Sequence, residues 1–189
     1  SRVSRGLGDV YKRQVIRDMS LEDETAFVAI SQDVKYQRFY DEADSKAEKY
    51  RQLTKLFIQQ AAEIPRRSYQ LAIEHKQQGI FIGTVCLRLE DEHNASMGCG
   101  IARSFQGSGL IYEAATALAN YGFSTLNVHR IYAETIKENR AALKLCSDLG
   151  MRREAVFKEN RYFKGRWWDT VVMAILQQEW RDKLDETNE

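Results

Sequence analysis

A loop with two glycines one residue apart, followed by a long helix, is the stretch of this sequence most suited to chemistry. It reads Ile101-Ala102-Arg103-Ser104-Phe105-Gln106-Gly107-Ser108-Gly109, and an apolar repeat with helical spacing starts at Leu110. Glycines let the backbone curl and approach a ligand closely. The first N–H groups of a helix have no partner within it, so such a turn can bind an anion, for example a pyrophosphate. The alternative is a tight turn that only joins a strand to a helix.

The composition is that of an ordinary soluble globular domain. The 189 residues include 43% hydrophobic and 29% charged side chains, and the net charge is +1. We therefore expect no nucleic acid and no membrane as a partner. Cys86, Cys99 and Cys146 are scattered and form no metal-ligand spacing with the histidines. This cysteine usage indicates a reducing, cytoplasmic compartment and no metal.

The first 14 residues read as a tail. They combine basic residues with Gly6 and Gly8, and they lack the apolar stretch of a secretory signal. They also resemble translated sequencing-adaptor read-through. We therefore expect residues 1–14 to be a non-native disordered tail, residues 15–181 to form one domain, and residues 182–189 to be a polar C-terminal tail.

Hydrophobic periodicity predicts the element order β-α-α-β-β-β-α-β-α-β-β, which is a mixed sheet flanked by helices. Strands are predicted over residues 15–19, 68–75, 80–89, 95–102, 130–136, 151–163 and 167–176. Helices are predicted from Ser20, over about 45–64, from Leu110 and over 139–149. Gly98 and Gly100 inside a strand predict a bulge or a close backbone approach. A bulge would part this strand from its neighbour and open a slot.

Five segments resemble motifs of the GCN5-related N-acetyltransferase (GNAT) superfamily, over about residues 15–180. They are Ile80-Phe81-Ile82-Gly83-Thr84, the loop Gln106-Gly107-Ser108-Gly109 with Glu113-Ala114, His129-Arg130-Ile131 through Glu138-Asn139, Leu149-Gly150-Met151-Arg152-Arg153-Glu154, and Lys164-Gly165-Arg166-Trp167-Trp168-Asp169. The last three resemble in particular the ribosomal-protein-alanine acetyltransferase type.

The resemblance implies an α/β (α+β) fold, with a mixed, mostly antiparallel sheet of about seven strands flanked by four helices. It implies acetyl-CoA as co-substrate, bound between the fourth and fifth strands. The implied cofactor-binding residues are Ile101, Ala102, Arg103, Gln106, Gly107, Ser108, Gly109, Leu110, Asn139 and Ala142. Asn139 could also simply cap the helix that it opens.

Three positions depart from the family pattern. Ser104 stands where the loop usually opens with Gln or Arg, and Ala142 stands where a Ser often follows the Asn. Cys146 stands where many members carry a general-acid Tyr. The group that protonates the leaving thiolate is therefore left open.

Glu134 lies five residues before Asn139, a spacing that holds the general base in some relatives. We predict that it accepts the proton of the attacking amine. The alternative is an exposed strand carboxylate paired with Lys137 or Arg130. The resemblance also predicts that Tyr36 and Tyr40, in an acceptor-side lid, line the acceptor site together with Trp168. Packing against the sheet would explain these aromatic residues equally well.

The sequence therefore predicts transfer of an acetyl group from acetyl-CoA to a primary amine, by direct attack in a ternary complex. The first choice of acceptor is the N-terminal α-amine of a protein or peptide. One alternative is a small cationic amine, such as a polyamine or an aminoglycoside. Another is a non-catalytic acyl-CoA sensor or interaction module. We expect a monomer or a homodimer.

Overall fold

A seven-stranded sheet organises this computed structural model, which describes residues 13–189. Its strands are β1 (Gln14–Asp18), β2 (Ser68–His75), β3 (Ile80–Leu89), β4 (Asn94–Ile101), β5 (Arg130–Ile136), β6 (Arg152–Phe163) and β7 (Arg166–Leu176). The spatial order is β1-β2-β3-β4-β5-β7-β6. β4 and β5 are parallel, and every other neighbouring pair is antiparallel. The predicted mixed, mostly antiparallel sheet is confirmed. The predicted N-terminal tail lies outside the described residues, except for Arg13 and Gln14.

Five α-helices pack on this sheet in the described part of the chain. They are α1 (Glu24–Ser31), α2 (Ala47–Ala61), α3 (Leu110–Ser124), α4 (Arg140–Asp148) and α5 (Gln177–Thr187). The sequence predicted four, because α5 is too polar to show an apolar stripe. Its one buried side chain is Trp180, which is 2% exposed and packs on Phe123 of α3. The predicted polar tail over 182–189 is thus helical as far as Thr187. None of the helices described is long and apolar enough to cross a membrane.

Apolar clusters fill both faces of the sheet, because successive strand residues point to opposite faces. On β2, Leu71 belongs to the large cluster that α3 and α4 cover, and Ala72 to the cluster that α1 and α2 cover. A third, small cluster contains Ile136 of β5, Trp168 of β7 and Phe39 from the segment between α1 and α2.

The ladder between β4 and β5 is short. It pairs Asn94–Ser96 with Arg130–Tyr132, and the strands then part, which leaves residues 97–101 of β4 without a β5 partner. The predicted slot is therefore present, but the predicted bulge in β4 is wrong. Pairing of β3 with β4 is unbroken from Gly83–Ile101 to Leu89–Ala95. Of the two glycines, Gly100 takes part in the other predicted feature, a close backbone approach, whereas an added carbon at Gly98 would meet only the Arg88 side chain. A side-chain carbon added at Gly83 would lie 2.2 Å from the carbonyl oxygen of Gly100.

This close approach makes Gly83 hard to replace. We expect Gly83→Ala to lower the free energy of unfolding by about 2 kcal/mol or more, because the new methyl group must displace main chain. Urea unfolding measures the change. Gly98→Ala is the matched control on the next strand, since its methyl group would meet only the flexible end of Arg88, at 3.2 Å. Equal stability losses in the two variants would contradict this account.

Candidate active site

The slot between β4 and β5 opens at the edge of the sheet where both strands end. Because the two strands are parallel, their carboxyl ends lie at the same edge. The glycine loop follows β4, and α4 follows β5 after a short turn. The topology therefore brings the two predicted groups of cofactor residues, residues 101–110 and the Asn139 region, to the two sides of one opening.

The glycine loop has the conformation of an anion site. Gly107 has φ +75° and Gly109 has φ +82°, values in the left-handed region that favours glycine. Gly109 is the N-cap of the 15-residue helix α3. Within the described residues, the N–H groups of Gly107, Ser108 and Gly109 have no hydrogen-bond acceptor. Unpaired N–H groups ahead of a helix N-terminus attract negatively charged ligands.

The other predicted loop residues range from buried to exposed. Ile101 and Leu110 have buried side chains, so only their main chain can face a ligand. Arg103 is exposed, and its Nε atom lies 3.8 Å from Asp33 Oδ2, which connects the loop to the segment after α1. Ala102 is half-buried and Gln106 is exposed.

Arg13 and Gln14 also contact the loop, although the sequence assigned them to the tail. Arg13 donates a hydrogen bond to the carbonyl oxygen of Ser108, at 3.0 Å, and forms an ion pair with Glu113. Gln14 is fully buried at the start of β1 and donates to the carbonyl oxygen of Leu110, at 3.0 Å. These contacts span 95 and 96 residues, so no local pattern could indicate them. The Arg13 guanidinium thus lies beside the unpaired N–H groups, with its charge paired to that of Glu113.

Asn139 caps α4 on the other side of the slot. Its Oδ1 atom accepts a hydrogen bond from the backbone N–H of Ala142, at 3.2 Å. Its amide NH2 group has no acceptor among residues 13–189. Capping occupies the oxygen and leaves the nitrogen available, so the two predicted roles of Asn139 are compatible.

The three cysteines are neutral thiols. Burial raises the pKa of Cys146 to about 11 and that of Cys86 to about 11. Burial, together with the neighbouring Cys146 and Cys86, raises the pKa of Cys99 to about 12. Thiols with such values hold almost no thiolate near pH 7 and react slowly. The side chain of Cys146 packs in the large apolar cluster. No group of three metal-ligating side chains occurs among residues 13–189.

The segment between α1 and α2, residues 33–46, crosses the slot, and we call it the lid. On one side, the hydroxyl group of Tyr36 lies against Gly100 of β4, where an added side-chain carbon would be 2.5 Å from it. On the other side, Phe39 packs edge-to-face on Trp168 of β7, with ring centroids 6.0 Å apart. The lid therefore contacts both halves of the divided sheet.

The lid carboxylates already have partners. Asp33 pairs with Arg103 at 3.8 Å, Asp41 with Arg161 at 3.4 Å and Asp44 with Lys49 at 3.8 Å, while Glu42 accepts the Lys164 backbone N–H at 2.7 Å. The acidic side chains of the lid are thus all engaged by other groups of the protein.

The predicted acceptor-site aromatic residues differ in exposure. Trp168 is 6% exposed, stacks on Phe163 at 4.9 Å and donates its indole N–H to the Phe163 carbonyl oxygen. Its polar atom is therefore already satisfied, and its ring supports Phe39 of the lid. Tyr40 is 38% exposed and stacks on Tyr36 with centroids 5.9 Å apart. Desolvation of its hydroxyl group raises the pKa of Tyr40 to about 12.

Glu134 lies on β5 beyond the last β4–β5 pair. Side chains alternate along a strand, so Glu134 shares the lid face of the sheet with Ile136. It is exposed, and within the described range it has neither an ion-pair nor a hydrogen-bond partner. Its two candidate partners are engaged elsewhere, Arg130 with Glu154 and Lys137 with Asp169. Glu134 therefore offers a free carboxylate beside the slot.

Comparison with known proteins decides the family. A model of the acetyltransferase (GNAT) domain matches residues 13–152. The chain belongs to this GNAT acetyltransferase family. The resemblance predicted from the motifs is confirmed, and acetyl-CoA is the acetyl donor that GNAT acetyltransferases use.

Three curated relatives at 30% identity or more match over about half of their length. The chain is 38% identical over 89 residues to the uncharacterized N-acetyltransferase YnaD of Bacillus subtilis, covering 47% of this chain and 52% of the relative. It is 33% identical over 88 residues to the ribosomal protein uS5-alanine N-acetyltransferase of Escherichia coli, covering 47% and 45%. It is 30% identical over 80 residues to the spermidine N(1)-acetyltransferase of Escherichia coli, covering 42% and 43%. These matches span about half of each relative.

Solved structures agree with the fold over most of the chain. An acetyltransferase (GNAT family) from Bacillus anthracis superposes with a TM-score of 0.76 at 24% identity, covering 88% of this chain and 96% of that one. The spermidine N-acetyltransferase from Vibrio cholerae, solved with CoA and spermine, gives 0.76 at 23% identity, covering 90% and 99%. The predicted GNAT fold is thereby confirmed.

The two roles of Asn139 can be separated by substitution. Asn139→Ala removes the cap, so we expect a loss of about 1 kcal/mol of stability together with weaker CoA binding. Asn139→Asp keeps an oxygen for the Ala142 N–H but removes the amide donor. It should retain the stability and lose the CoA affinity. Chemical unfolding and calorimetric titration with CoA measure the two effects. Full CoA affinity in Asn139→Asp would show that the residue only caps α4.

Proposed function

We propose that this chain transfers the acetyl group of acetyl-CoA to the N-terminal α-amine of a protein or peptide, by direct attack within a ternary complex. The observation that carries the proposal is the slot between β4 and β5. It has unpaired loop N–H groups at its open end and the free carboxylate of Glu134 on its lid face. Family membership supports the acetyl transfer, and the charges of the lid support the choice of acceptor.

The residues at the open end of the slot fit the anionic and amide parts of acetyl-CoA. The N–H groups of Gly107, Ser108 and Gly109, next to the Arg13 guanidinium, suit the diphosphate. The free amide nitrogen of Asn139 suits a pantetheine carbonyl group. Main-chain groups of residues 97–101, unpaired on the β5 side, can hydrogen-bond the rest of the pantetheine arm. One of their N–H groups can stabilise the oxyanion that develops at the thioester.

Glu134 suits the role of proton acceptor because the attacking amine must lose a proton. An α-amine has a pKa of about 8, so an appreciable fraction is neutral near pH 7, whereas a lysine ammonium with a pKa of about 10.4 is almost fully charged. One exposed carboxylate, acting directly or through water, gives sufficient assistance for an α-amine. Holding the amine and the thioester in one cleft supplies much of the remaining acceleration.

The pairing of the lid carboxylates favours a singly charged acceptor over a polyamine. A polyamine carries several ammonium groups, and each needs an acidic partner to leave water. Asp41, Glu42 and Asp44 are engaged by the protein itself, which leaves Glu134 as the free carboxylate on the lid face of the slot. The spermidine-acetylating relative keeps the polyamine as the second candidate.

Acetyl-CoA should stabilise the folded chain. A ligand that binds only the folded state at about 100 times its Kd adds about 2.7 kcal/mol, so the melting temperature should rise by several degrees. Differential scanning fluorimetry with acetyl-CoA measures the shift. An unchanged melting temperature at saturating ligand would contradict the interpretation of the glycine loop.

An acceptor panel tests the reaction itself. We expect CoA release with a peptide that has a free N-terminal alanine, and none with the same peptide blocked by an N-terminal acetyl group. Turnover with spermidine alone would overturn the α-amine assignment. Binding of acetyl-CoA without turnover on any peptide, polyamine or aminoglycoside would favour the sensor alternative.

Glu134→Gln should lower kcat by about 100-fold near pH 7, because the amide cannot accept the proton. The deficit should shrink at about pH 9, where an α-amine is largely neutral without help. Glu154→Gln is the matched control, since Glu154 lies on β6 and pairs with Arg130. Equal rates for wild type and Glu134→Gln across this pH range would remove Glu134 from the mechanism.

A further inference from the structure

The leaving sulfur of CoA needs a proton, and α4 of this chain offers no tyrosine for it. The thiol of Cys146, at the corresponding position, is buried in the apolar cluster with α3. We propose that the hydroxyl group of Tyr36 in the lid protonates the leaving thiolate. This inference rests on the proposed acetyl transfer and assigns a catalytic residue to it from outside α4.

The first support is the position of the hydroxyl group. Gly100 belongs to the part of β4 that has parted from β5. A side-chain carbon at Gly100 would lie 2.5 Å from the Tyr36 hydroxyl oxygen and 3.1 Å from two of its ring carbons. The end of the tyrosine thus occupies the space that a side chain at position 100 would fill, and it touches the main chain that lines the slot.

The second support is that the hydroxyl group is free to donate. Within residues 13–189, the Tyr36 hydroxyl has no hydrogen-bond partner, although its backbone N–H donates to Asp33 Oδ1 at 3.1 Å. The ring is held in place by Tyr40, with centroids 5.9 Å apart and planes 21° from parallel. A fixed ring with an unengaged hydroxyl group is the arrangement that a proton donor needs.

The third support is the relation of Tyr36 to Glu134. Ser96 pairs with Tyr132 in the parallel ladder, so positions 98 and 100 of β4 share a face with positions 134 and 136 of β5. Tyr36 stands over Gly100 and Glu134 projects from the opposite strand. The proton donor and the proton acceptor therefore flank the same gap from its two sides.

The environment keeps the phenol protonated. Burial, with the neighbouring Tyr40, Tyr50, Cys86 and Cys99, raises the pKa of Tyr36 well above its usual value. The hydroxyl group therefore carries its proton throughout the pH range in which an α-amine becomes neutral.

Bonds and protons are conserved in the proposed acetyl transfer. The amine nitrogen forms a bond to the acetyl carbonyl carbon and gives one proton to Glu134. The carbon–sulfur bond then breaks with its electron pair going to sulfur, and the sulfur takes the proton of Tyr36. As this proton leaves, the Tyr36 oxygen takes the proton that Glu134 received, relayed through water, so that no free phenolate has to form. The products are the amide and the free thiol of CoA.

Tyr36→Phe tests the proposal, because it removes the hydroxyl group and keeps the ring and its stacking. We expect kcat to fall about 100-fold, with the KM for acetyl-CoA within about 2-fold of wild type and the melting temperature unchanged. Tyr162→Phe, which removes a hydroxyl group from a side chain 61% exposed on β6, is the matched control and should keep kcat.

The outcomes separate this inference from the proposed function. If the wild type acetylates no acceptor, the proposed function fails. If the wild type turns over and Tyr36→Phe keeps the same kcat, the assignment of Tyr36 alone is overturned. A loss of activity matched by a higher KM for acetyl-CoA and a lower melting temperature would also overturn it, since it would give Tyr36 a packing role.

A double-mutant cycle with Gly100→Ala adds an independent measurement. The new methyl group must displace the Tyr36 hydroxyl, so Gly100→Ala should lower kcat in the wild-type background. It should lower kcat by a smaller factor in the Tyr36→Phe background, because the hydroxyl oxygen, the nearest atom at 2.5 Å, is gone and only the ring carbons at 3.1 Å remain. Strictly additive losses in kcat would contradict the proposal.

Discussion

The whole arrangement depends on a sheet whose central ladder stops early. Main-chain N–H and C=O groups in the interior of a protein are almost always paired. Between β4 and β5 this pairing ends at Ser96 and Tyr132, so the next residues of β4 keep groups on that side for a ligand. This gap separates the ends of β4 and β5. Those two strand ends position the glycine loop, the cap of α4 and the free carboxylate of Glu134.

The lid connects the two halves of the sheet where the hydrogen bonds between β4 and β5 have ended. It contacts β4 through Tyr36 and β7 through Phe39, so aromatic packing connects the two halves of the sheet across the gap. Its exposed ion pairs contribute little, since such pairs are typically worth about 0–1 kcal/mol each. Under the proposed function their larger effect is on recognition, because they offset negative charge that would otherwise attract a multiply charged amine. In that proposal, stability and acceptor preference rest on different residues of one segment.

Features that depend on residues close together in the sequence were predicted correctly. The bounds of β3 and β5 were predicted correctly from runs of β-forming residues, and the glycine loop from Gly107 and Gly109 with the apolar helix that follows. Family motifs, rather than periodicity, pointed to Asn139.

Features that depend on contacts between residues far apart in the sequence were predicted wrongly or missed. The slot was attributed to a bulge, whereas β3 and β4 pair without interruption. The partners of Asp41 and Glu42 lie 120 and 122 residues away in sequence, so no local pattern could indicate these contacts. The helix α5 depends on Trp180, a single apolar anchor that produces no periodic stripe.

The short ladder of three residue pairs between β4 and β5 also has a geometric consequence. It joins a four-stranded half of the sheet to a three-stranded half. The part of β4 that lies beyond it and lacks a β5 partner is five residues, about 16 Å at the usual rise of a strand. Over that length, a difference of only about 4° in the angle between β4 and β5 changes the width of the slot at its open end by about 1 Å. The width of the slot at its open end is therefore set by a small angle between two strands that only three residue pairs hold together.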